Sequence, residues 1–354
     1  MDWFAKQVLN WASRHGRTDF PWQTDRTPYR IWVSEIMLQQ TQAAMVSKHF
    51  NRFIEKFPDV QKLARASEDE VLNAWLGLGY YRRALRLREA AVQIVSQFGG
   101  ELPMTVPSLC SLPGIGRSTA GAILSSAYNV PAPILDANVR RVLARFHAVN
   151  GPKETRIPDS KLWTLAESHT PSTDSGCYTQ AIMDFGSKQC IRSNPQCKTC
   201  PLGEKCRAYA SHTVHLFPST TKPNRLLNIT KRPLVILDSE GACLLRQLGN
   251  RGTYARLWET PEVPAGNDIE GILEELQLPL DSAIVSKGDR IGPYTISNQR
   301  VTEEVTVVRY YLHASVIGTP QGTAWYKSDM HTPLGISVKT QKRIELSRNT
   351  GLQK

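Results

Sequence analysis

No run of about 18 or more apolar residues occurs anywhere in the chain, so it has no membrane-spanning helix by composition. The opening Met1-Asp2-Trp3-Phe4-Ala5-Lys6 lacks a basic segment followed by an apolar one, so no secretory leader is expected. There is no internal repeat and no low-complexity tract, which excludes a solenoid or a compositional linker protein. Cysteine is sparse outside one stretch: Cys110, Cys177 and Cys243 are scattered singly. Nothing marks the chain as secreted, so a disulfide framework is the weakest use for its seven cysteines. A reducing, cytoplasmic setting is expected.

The other four cysteines, Cys190, Cys197, Cys200 and Cys206, form a C-x6-C-x2-C-x5-C pattern. Thiolates bind soft metals, and each loop is short enough to close around one centre. All-cysteine zinc sites usually pair two close C-x2–4-C units, and only one such pair is present here. The pattern therefore favours an iron–sulfur cluster, with zinc as the alternative.

Lysine and arginine outnumber aspartate and glutamate 43 to 32, giving a net charge of +11 and a polyanion as the expected partner. Arg82, Arg83, Arg86 and Arg88 follow a Gly-Leu-Gly-Tyr-Tyr turn, and Lys188, Arg192, Lys198 and Arg207 surround the cysteines. Taken alone, each run equally describes a solvated helix face.

At 354 residues, two domains are expected. Residues 1–210 carry helical periodicity, with helices over 68–76, 81–98, 116–128, 137–147, 159–168 and 177–188. Thr27-Pro28 starts another helix, and apolar residues keep helical spacing from Tyr29 to Phe57. Residues 211–228 are polar, proline-bearing and aperiodic, so they are assigned as a linker. Beyond it, Pro233 to Arg246 has the pattern of a β-hairpin, Val305 to Ala314 that of a strand and Ile269 to Leu276 that of a short helix, so 229–354 is an α+β domain.

Leu112-Pro113-Gly114-Ile115-Gly116-Arg117 precedes a helix. Glycines let the backbone approach a phosphate, and the free N–H groups at the helix start point at it. This is a helix-hairpin-helix pattern, which grips the DNA backbone without reading bases. Glu35 lies on an apolar stripe with Ile31, Trp32 and Leu38, where a carboxyl can hold a proton near neutral pH and act as a general acid. A core acid satisfied by a backbone partner is the other reading. Asp136 ends an apolar lead-in and starts a helix, so it is an N-cap, a catalytic acid, or both.

Trp32 to Gln42, Gly77-Leu78-Gly79-Tyr80-Tyr81, the hairpin, the Leu-Asp-x-Asn-Val run and the cysteine spacing occur in one order over most of residues 1–210. Together they resemble the MutY-type adenine DNA glycosylases of the endonuclease III superfamily. The resemblance implies an all-α helix-hairpin-helix glycosylase domain with a [4Fe-4S] loop at 190–206, followed by a Nudix-like domain. It implies monofunctional excision of adenine opposite 8-oxoguanine or guanine in double-stranded DNA, by a nucleoid-associated monomer. A glycosylase for another base, or a non-catalytic cluster-bearing sensor, are the competing readings.

Residue by residue, the resemblance makes Glu35 the acid that protonates adenine N7. Asp136 becomes the carboxylate that stabilises the oxocarbenium-like sugar, by charge or as a nucleophile. Asn138 and Ser118 lie near the sugar and the acid, and Gln180 hydrogen-bonds the flipped base. Gln40 and Tyr80 wedge into the duplex, Trp22 with Phe20 walls the pocket, and Leu112, Gly114 and Gly116 form the hairpin. Lyase-active relatives carry lysine where Ser118 stands, and serine cannot form their Schiff base. Ala137 departs from the family's usual glycine, and slowed but surviving activity is expected. In the second domain Trp258 to Pro261 resembles the family's Leu-Trp-Glu-x-Pro segment. Residues 266–277 do not supply the metal-holding Nudix set, so a pyrophosphohydrolase is not expected. The family reads 8-oxoguanine with a Phe-Ser-His tripeptide; here Ile296-Ser297-Asn298 is the best match, leaving Ser297 and Asn298 as the polar readers.

Overall fold

The computed structural model describes residues 1–149, 159–218, 226–296, 298–329 and 334–349. Its packing forms two compact units, Met1–Arg65 with Arg86–Lys222, and Ala66–Leu85 with Pro223–Lys354. Among the described residues no helix is long and apolar enough to cross a membrane.

The first unit is helical. It begins with α1 (Trp3–His15), α2 (Pro21–Thr24), α3 (Pro28–Leu38), α4 (Ala43–Lys56) and α5 (Val60–Arg65). A further helix, α6 (Glu68–Ala74), belongs to the second unit, and α7 (Arg82–Gln97) lies mostly in the first. Then come α8 (Val106–Cys110), α9 (Arg117–Tyr128), α10 (Ala137–Phe146), α11 (Asp159–His169), α12 (Ser175–Lys188) and α13 (Arg207–Ala210).

Helix α3 starts where the sequence places it: the Thr27 hydroxyl accepts from the Arg30 N–H at 3.3 Å, and Pro28 takes the first turn, where no intrahelical donor is needed. The periodic stretch 29–57 is two helices rather than one. The polar run Gln39-Gln40-Thr41-Gln42 offers the core nothing, and Gln40 enters the left-handed region at φ +58°. The chain then folds back, and the Tyr29 hydroxyl donates to the Phe57 carbonyl at the far end of α4 at 2.7 Å.

Helices α1, α10 and α12 share a core in which Val8, Leu143, Ile182 and Phe185 are buried. Each such side chain contributes roughly 1.5–3 kcal/mol by leaving water, so Leu143→Ala would cost about 2–5 kcal/mol. Close approach depends on Gly186 of α12, where a Cβ would stand 2.7 Å from the Asn138 Cβ of α10. That contact fixes the start of α10 and, with it, Asp136.

The second unit is α+β. A mixed seven-stranded sheet has the order β1-β6-β2-β3-β4, with β5 paired to β6 and β7 to β3. The strands are β1 (Leu227–Lys231), β2 (Leu234–Leu237), β3 (Cys243–Gln247), β4 (Trp258–Glu259), β5 (Ala283–Ile296), β6 (Gln299–Tyr310) and β7 (Thr323–Tyr326). Central β2 is apolar throughout because both its faces are covered. Leu234 and Ile236 join one core with α14 (Ile269–Glu275), while Val235 and Leu237 join another with Ile344 of α16 (Val338–Asn349). The expected hairpin is β2–β3, and the strand expected over 305–314 is part of the longer β6. Leu227 and Asn228, assigned to a linker by composition, begin β1 and pair with β6 in parallel.

Residues 66–85, read from periodicity as part of the helical domain, pack with this second unit. The Asp69 carboxylate accepts from Trp258 Nε1 at 3.0 Å and from the Gly335 N–H at 2.9 Å. Arg256 pairs with Glu68 at 2.9 Å.

Candidate active site

Glu35 sits in the last third of α3, between buried Trp32, Ser34, Ile36 and Met37. The residue keeps a partial opening to solvent, but the crowding around its carboxyl pushes its pKa up to about 7, chiefly by desolvation and further by the charge of Asp136. Among the described residues no hydrogen bond reaches this carboxyl. The core-acid reading required such a partner.

Asp136 is the N-cap of α10. One oxygen accepts from the Val139 N–H at 2.7 Å and the other from Asn138 Nδ2 at 3.2 Å. Burial raises its pKa, while these two donors and the nearby Arg141 guanidinium pull the other way. Asp136 thus has donors that favour its charged form, which Glu35 lacks, and its charge adds to the desolvation that raises the pKa of Glu35. Two carboxyls therefore stand in unlike environments within one site, the arrangement that divides acid work from charge-stabilising work.

The lead-in to Asp136 is anchored by α9. The Ser118 hydroxyl oxygen accepts from the Leu135 N–H at 2.9 Å. One turn on, Gly121 leaves room for the Pro133 carbonyl, which a Cβ would meet at 2.3 Å. Ala137 is helical and exposed with no left-handed backbone, so its methyl group is accommodated.

The hairpin before α9 places Leu112 and Ile115 in the core. Gly114 has φ +83°, a conformation that disfavours a side chain. Gly116 is the N-cap of α9, with open space where a Cβ would stand. With no side-chain cap at Gly116, the first N–H groups of α9 take no capping bond from it, as an anion site at a helix start requires. Gln39 Nε2 donates to the Gly114 carbonyl at 3.2 Å and to the Thr119 hydroxyl at 3.3 Å, joining the hairpin to the end of the helix that carries Glu35.

Trp22 is buried, stacked on Phe20 at 4.7 Å and edge-on to Phe50 at 5.6 Å. Gln180 lines a cavity of about 410 Å³ between α1 and α12, together with Arg17, Gln23 and Asp184. Gln40 is exposed at the break after α3 in the first unit. In the second unit, Tyr80 is 54% exposed and has φ +48°. Among the described residues, Gln40 and Tyr80 share left-handed backbone with seven other non-glycine residues, Asn129, Ala148, Asp174, Asn194, His212, Arg256 and Gln277. Behind Tyr80, the Arg83 guanidinium lies 5.5 Å from its ring and 5.4 Å from that of Trp75. Ser297 lies outside the described residues; the Asn298 carbonyl accepts from the Leu227 N–H at 2.9 Å where β6 begins.

Cys190, Cys197, Cys200 and Cys206 line one small cavity with Arg145 and Tyr209. Among the described residues no group of three or more His, Cys, Asp or Glu side chains is placed to hold a single metal ion. Burial raises the pKa of Cys206 and pushes that of Cys200 up to about 12, an environment in which free thiols stay protonated. Buried Arg145 supplies positive charge for a thiolate group: it donates to Cys190 Sγ at 3.5 Å and to the Ile191 and Arg192 carbonyls at 2.6 and 2.9 Å. A four-thiolate set around a cavity with a facing guanidinium fits an iron–sulfur cluster.

Composition missed the residue joining this loop to Asp136. Arg141 donates to Asn138 Oδ1 at 3.0 Å, to the Gly186 carbonyl at 2.6 Å and to the Cys190 carbonyl at 2.8 Å. The available signal was the Arg141–Arg145 spacing, which puts both guanidinium groups on one face of α10.

Residues 33–167 match the HhH-GPD superfamily of base excision DNA repair proteins. The fold and the site thus define the class, a helix-hairpin-helix base excision repair protein. The chain is 38% identical over 344 residues to the adenine DNA glycosylase of Buchnera aphidicola subsp. Baizongia pistaciae, covering 96% of this chain and 95% of that one. It is 30% identical over 398 residues to the human adenine DNA glycosylase, covering 96% of this chain and 73% of that one. Among solved structures, a thermostable thymine-DNA glycosylase aligns with a TM-score of 0.55 and 29% identity over 59% of this chain and 95% of that one. The chain belongs to the adenine DNA glycosylase family.

Proposed function

We propose that this protein removes adenine mispaired with 8-oxoguanine or guanine in double-stranded DNA, by hydrolysing the N-glycosidic bond of the flipped nucleotide. The observation that carries this reading is the coupled pair of acids, with Glu35 held up to about 7 beside the donor-bound Asp136. Glu35 delivers its proton to adenine N7, so the base leaves as a neutral purine. Asp136, its charge fixed toward the sugar by Val139 and Asn138, stabilises the oxocarbenium-like centre or attacks it. Ser118 offers no amine for a Schiff base and is already engaged with the Leu135 N–H, so the enzyme is monofunctional.

The hairpin with Leu112, Gly114 and Gly116 holds the DNA backbone, while Gln40 and Tyr80 fill the stack that the base leaves. Gln180 and Trp22 receive the base. Cys190, Cys197, Cys200 and Cys206 hold a [4Fe-4S] cluster, which when bound ties the basic loop 190–206 into a docking surface. The C-terminal unit, Nudix-like without its metal set, reads the opposite base through Ser297 and Asn298. The protein acts as a cytoplasmic, nucleoid-associated monomer.

Single-turnover assays on duplexes holding A·8-oxoguanine, A·G and A·C, each with and without alkali, test this. Adenine release fastest opposite 8-oxoguanine, with strand breaks only after alkali, is expected. Strand breaks without alkali would remove the monofunctional assignment. Equal rates on A·8-oxoguanine and A·G would remove Ser297 and Asn298 as lesion readers.

A further inference from the structure

Asp184 is an aspartate with no exposed surface, one helical turn beyond Gln180 on α12. Three N–H groups of Arg17 point at it: the backbone N–H reaches one carboxylate oxygen at 2.8 Å, and Nε and Nη2 reach the other at 2.8 and 2.5 Å. Arg17 is itself held, since its carbonyl accepts from Gln23 Nε2 at 3.0 Å and its guanidinium lies 5.1 Å from the Phe20 ring. The fourth donor to Asp184 is Gln180 Nε2, at 3.0 Å.

A side-chain amide has two faces, an NH2 donor and a carbonyl acceptor, and an isolated glutamine can turn either one to a ligand. A carboxylate surrounded by arginine N–H groups only accepts, so the nitrogen of Gln180 has to face Asp184. The carbonyl oxygen then faces away from the carboxylate. Both residues line the same cavity of about 410 Å³, whose lining does not include Glu35, Asp136 or Trp22.

We propose that Asp184 is a positioning residue that locks the Gln180 amide with its oxygen outward, and that this selects a purine with an amino group at position 6 over one with a keto group there. The inference rests on the proposed contact between Gln180 and the flipped base. Adenine presents an N6–H donor to an outward oxygen. Hypoxanthine differs at that edge, with an O6 acceptor and an N1–H donor. A glutamine free to turn would pair with either base; a locked one repels the O6 lone pairs.

The test is single-turnover release of adenine and of hypoxanthine, each opposite 8-oxoguanine, by the full-length holoprotein and three variants. The parent should release adenine much faster than hypoxanthine. In Asp184→Asn the facing group both donates and accepts, so Gln180 can turn, and the adenine-to-hypoxanthine rate ratio should fall roughly tenfold or more. Loss of Arg17 anchoring alone would slow both bases together and leave the ratio where it was. Should Asp184→Asn fail to fold with the half-buried Arg17 cation left unpaired, Arg17→Met combined with Asp184→Asn removes that cation and reads the same ratio.

Gln180→Ala separates the two levels of the argument. If it leaves adenine release unchanged, Gln180 does not touch the base and both levels fall. If it slows adenine release while the Asp184 variants keep the parent ratio, the base contact stands and the orientation by Asp184 is overturned. A parent that releases both bases at equal rates also overturns it.

Discussion

Glu35→Gln should make the protein more stable and nearly inactive at the same time. The pKa of Glu35 stands at about 7 against an ordinary 4.5, a difference of 2.5. At about 1.36 kcal/mol per unit, ionising it inside the fold costs roughly 3 kcal/mol, and about 2 kcal/mol after allowance for its partial opening to solvent. The sign follows from which state binds the proton. Below the unfolded value of 4.5 both states hold it and nothing is lost. As pH rises from 4.5 toward 7 the unfolded chain ionises first, and stability falls. Above about 7 the full penalty stands. Glutamine has no proton to lose, so the variant's advantage over the parent should be small near pH 4.5 and grow to about 2 kcal/mol by pH 8. For a unit of this size that is roughly 4–8 °C in Tm. Thermal melts of both proteins at several pH values give the difference directly.

The same substitution removes the acid. Adenine release under single turnover should drop by roughly 10² to 10⁴, with retained binding to the mispair. In the parent the rate should fall roughly tenfold per pH unit above about 7, as the proton is lost from Glu35. A variant with unchanged Tm difference across pH would refute the desolvated carboxyl, and one with unchanged rate would refute its role as the acid.

Ser118→Ala leaves the Leu135 N–H without its acceptor at 2.9 Å, which costs about 1–3 kcal/mol. It loosens the residue before Asp136, so adenine release should slow roughly tenfold while Ser118→Thr, which keeps the hydroxyl, stays near the parent; equal rates for both variants would show that the anchor does not matter. In the second unit, Arg343 makes two 2.6 Å bonds to fully buried Glu303 and one of 2.7 Å to Glu259. Arg343→Met alone should destabilise by about 3–5 kcal/mol, and Arg343→Met with Glu303→Leu by much less, as read by denaturation of the full chain. A single variant as stable as the double would mean that the buried acid was never charged.

The residues legible in the sequence share one property: their chemistry is written within about one turn or one short loop of themselves. Asp136 before a helix is both an N-cap and an acid because its cap donor, Val139, is three residues away. Glu35 on an apolar stripe, two glycines before α9, and four closely spaced cysteines are equally local. The residues that were not legible depend on partners far along the chain. Arg145 organises the cysteine loop through carbonyls 46 and 47 residues away, and Arg17 reaches Asp184 across 167. Periodicity cannot encode a partner at that distance, and a surface arginine and a buried one look alike in a string. The same limit explains the sheet. Strand β2 announces itself by four apolar residues, but β5, largely exposed and broken by two register shifts, is a strand because β6 pairs with it along its length. It also explains α6, whose own sequence gives a capped helix beginning at Ser67 but not the Trp258 and Gly335 donors that Asp69 satisfies. Local rules therefore located the candidate acids, and the resemblance supplied the roles proposed for them. The long-range polar contacts of Arg17, Arg141 and Arg145 are what the local pattern does not contain, and substitutions there, rather than in the acids themselves, are where a change of selectivity is to be sought.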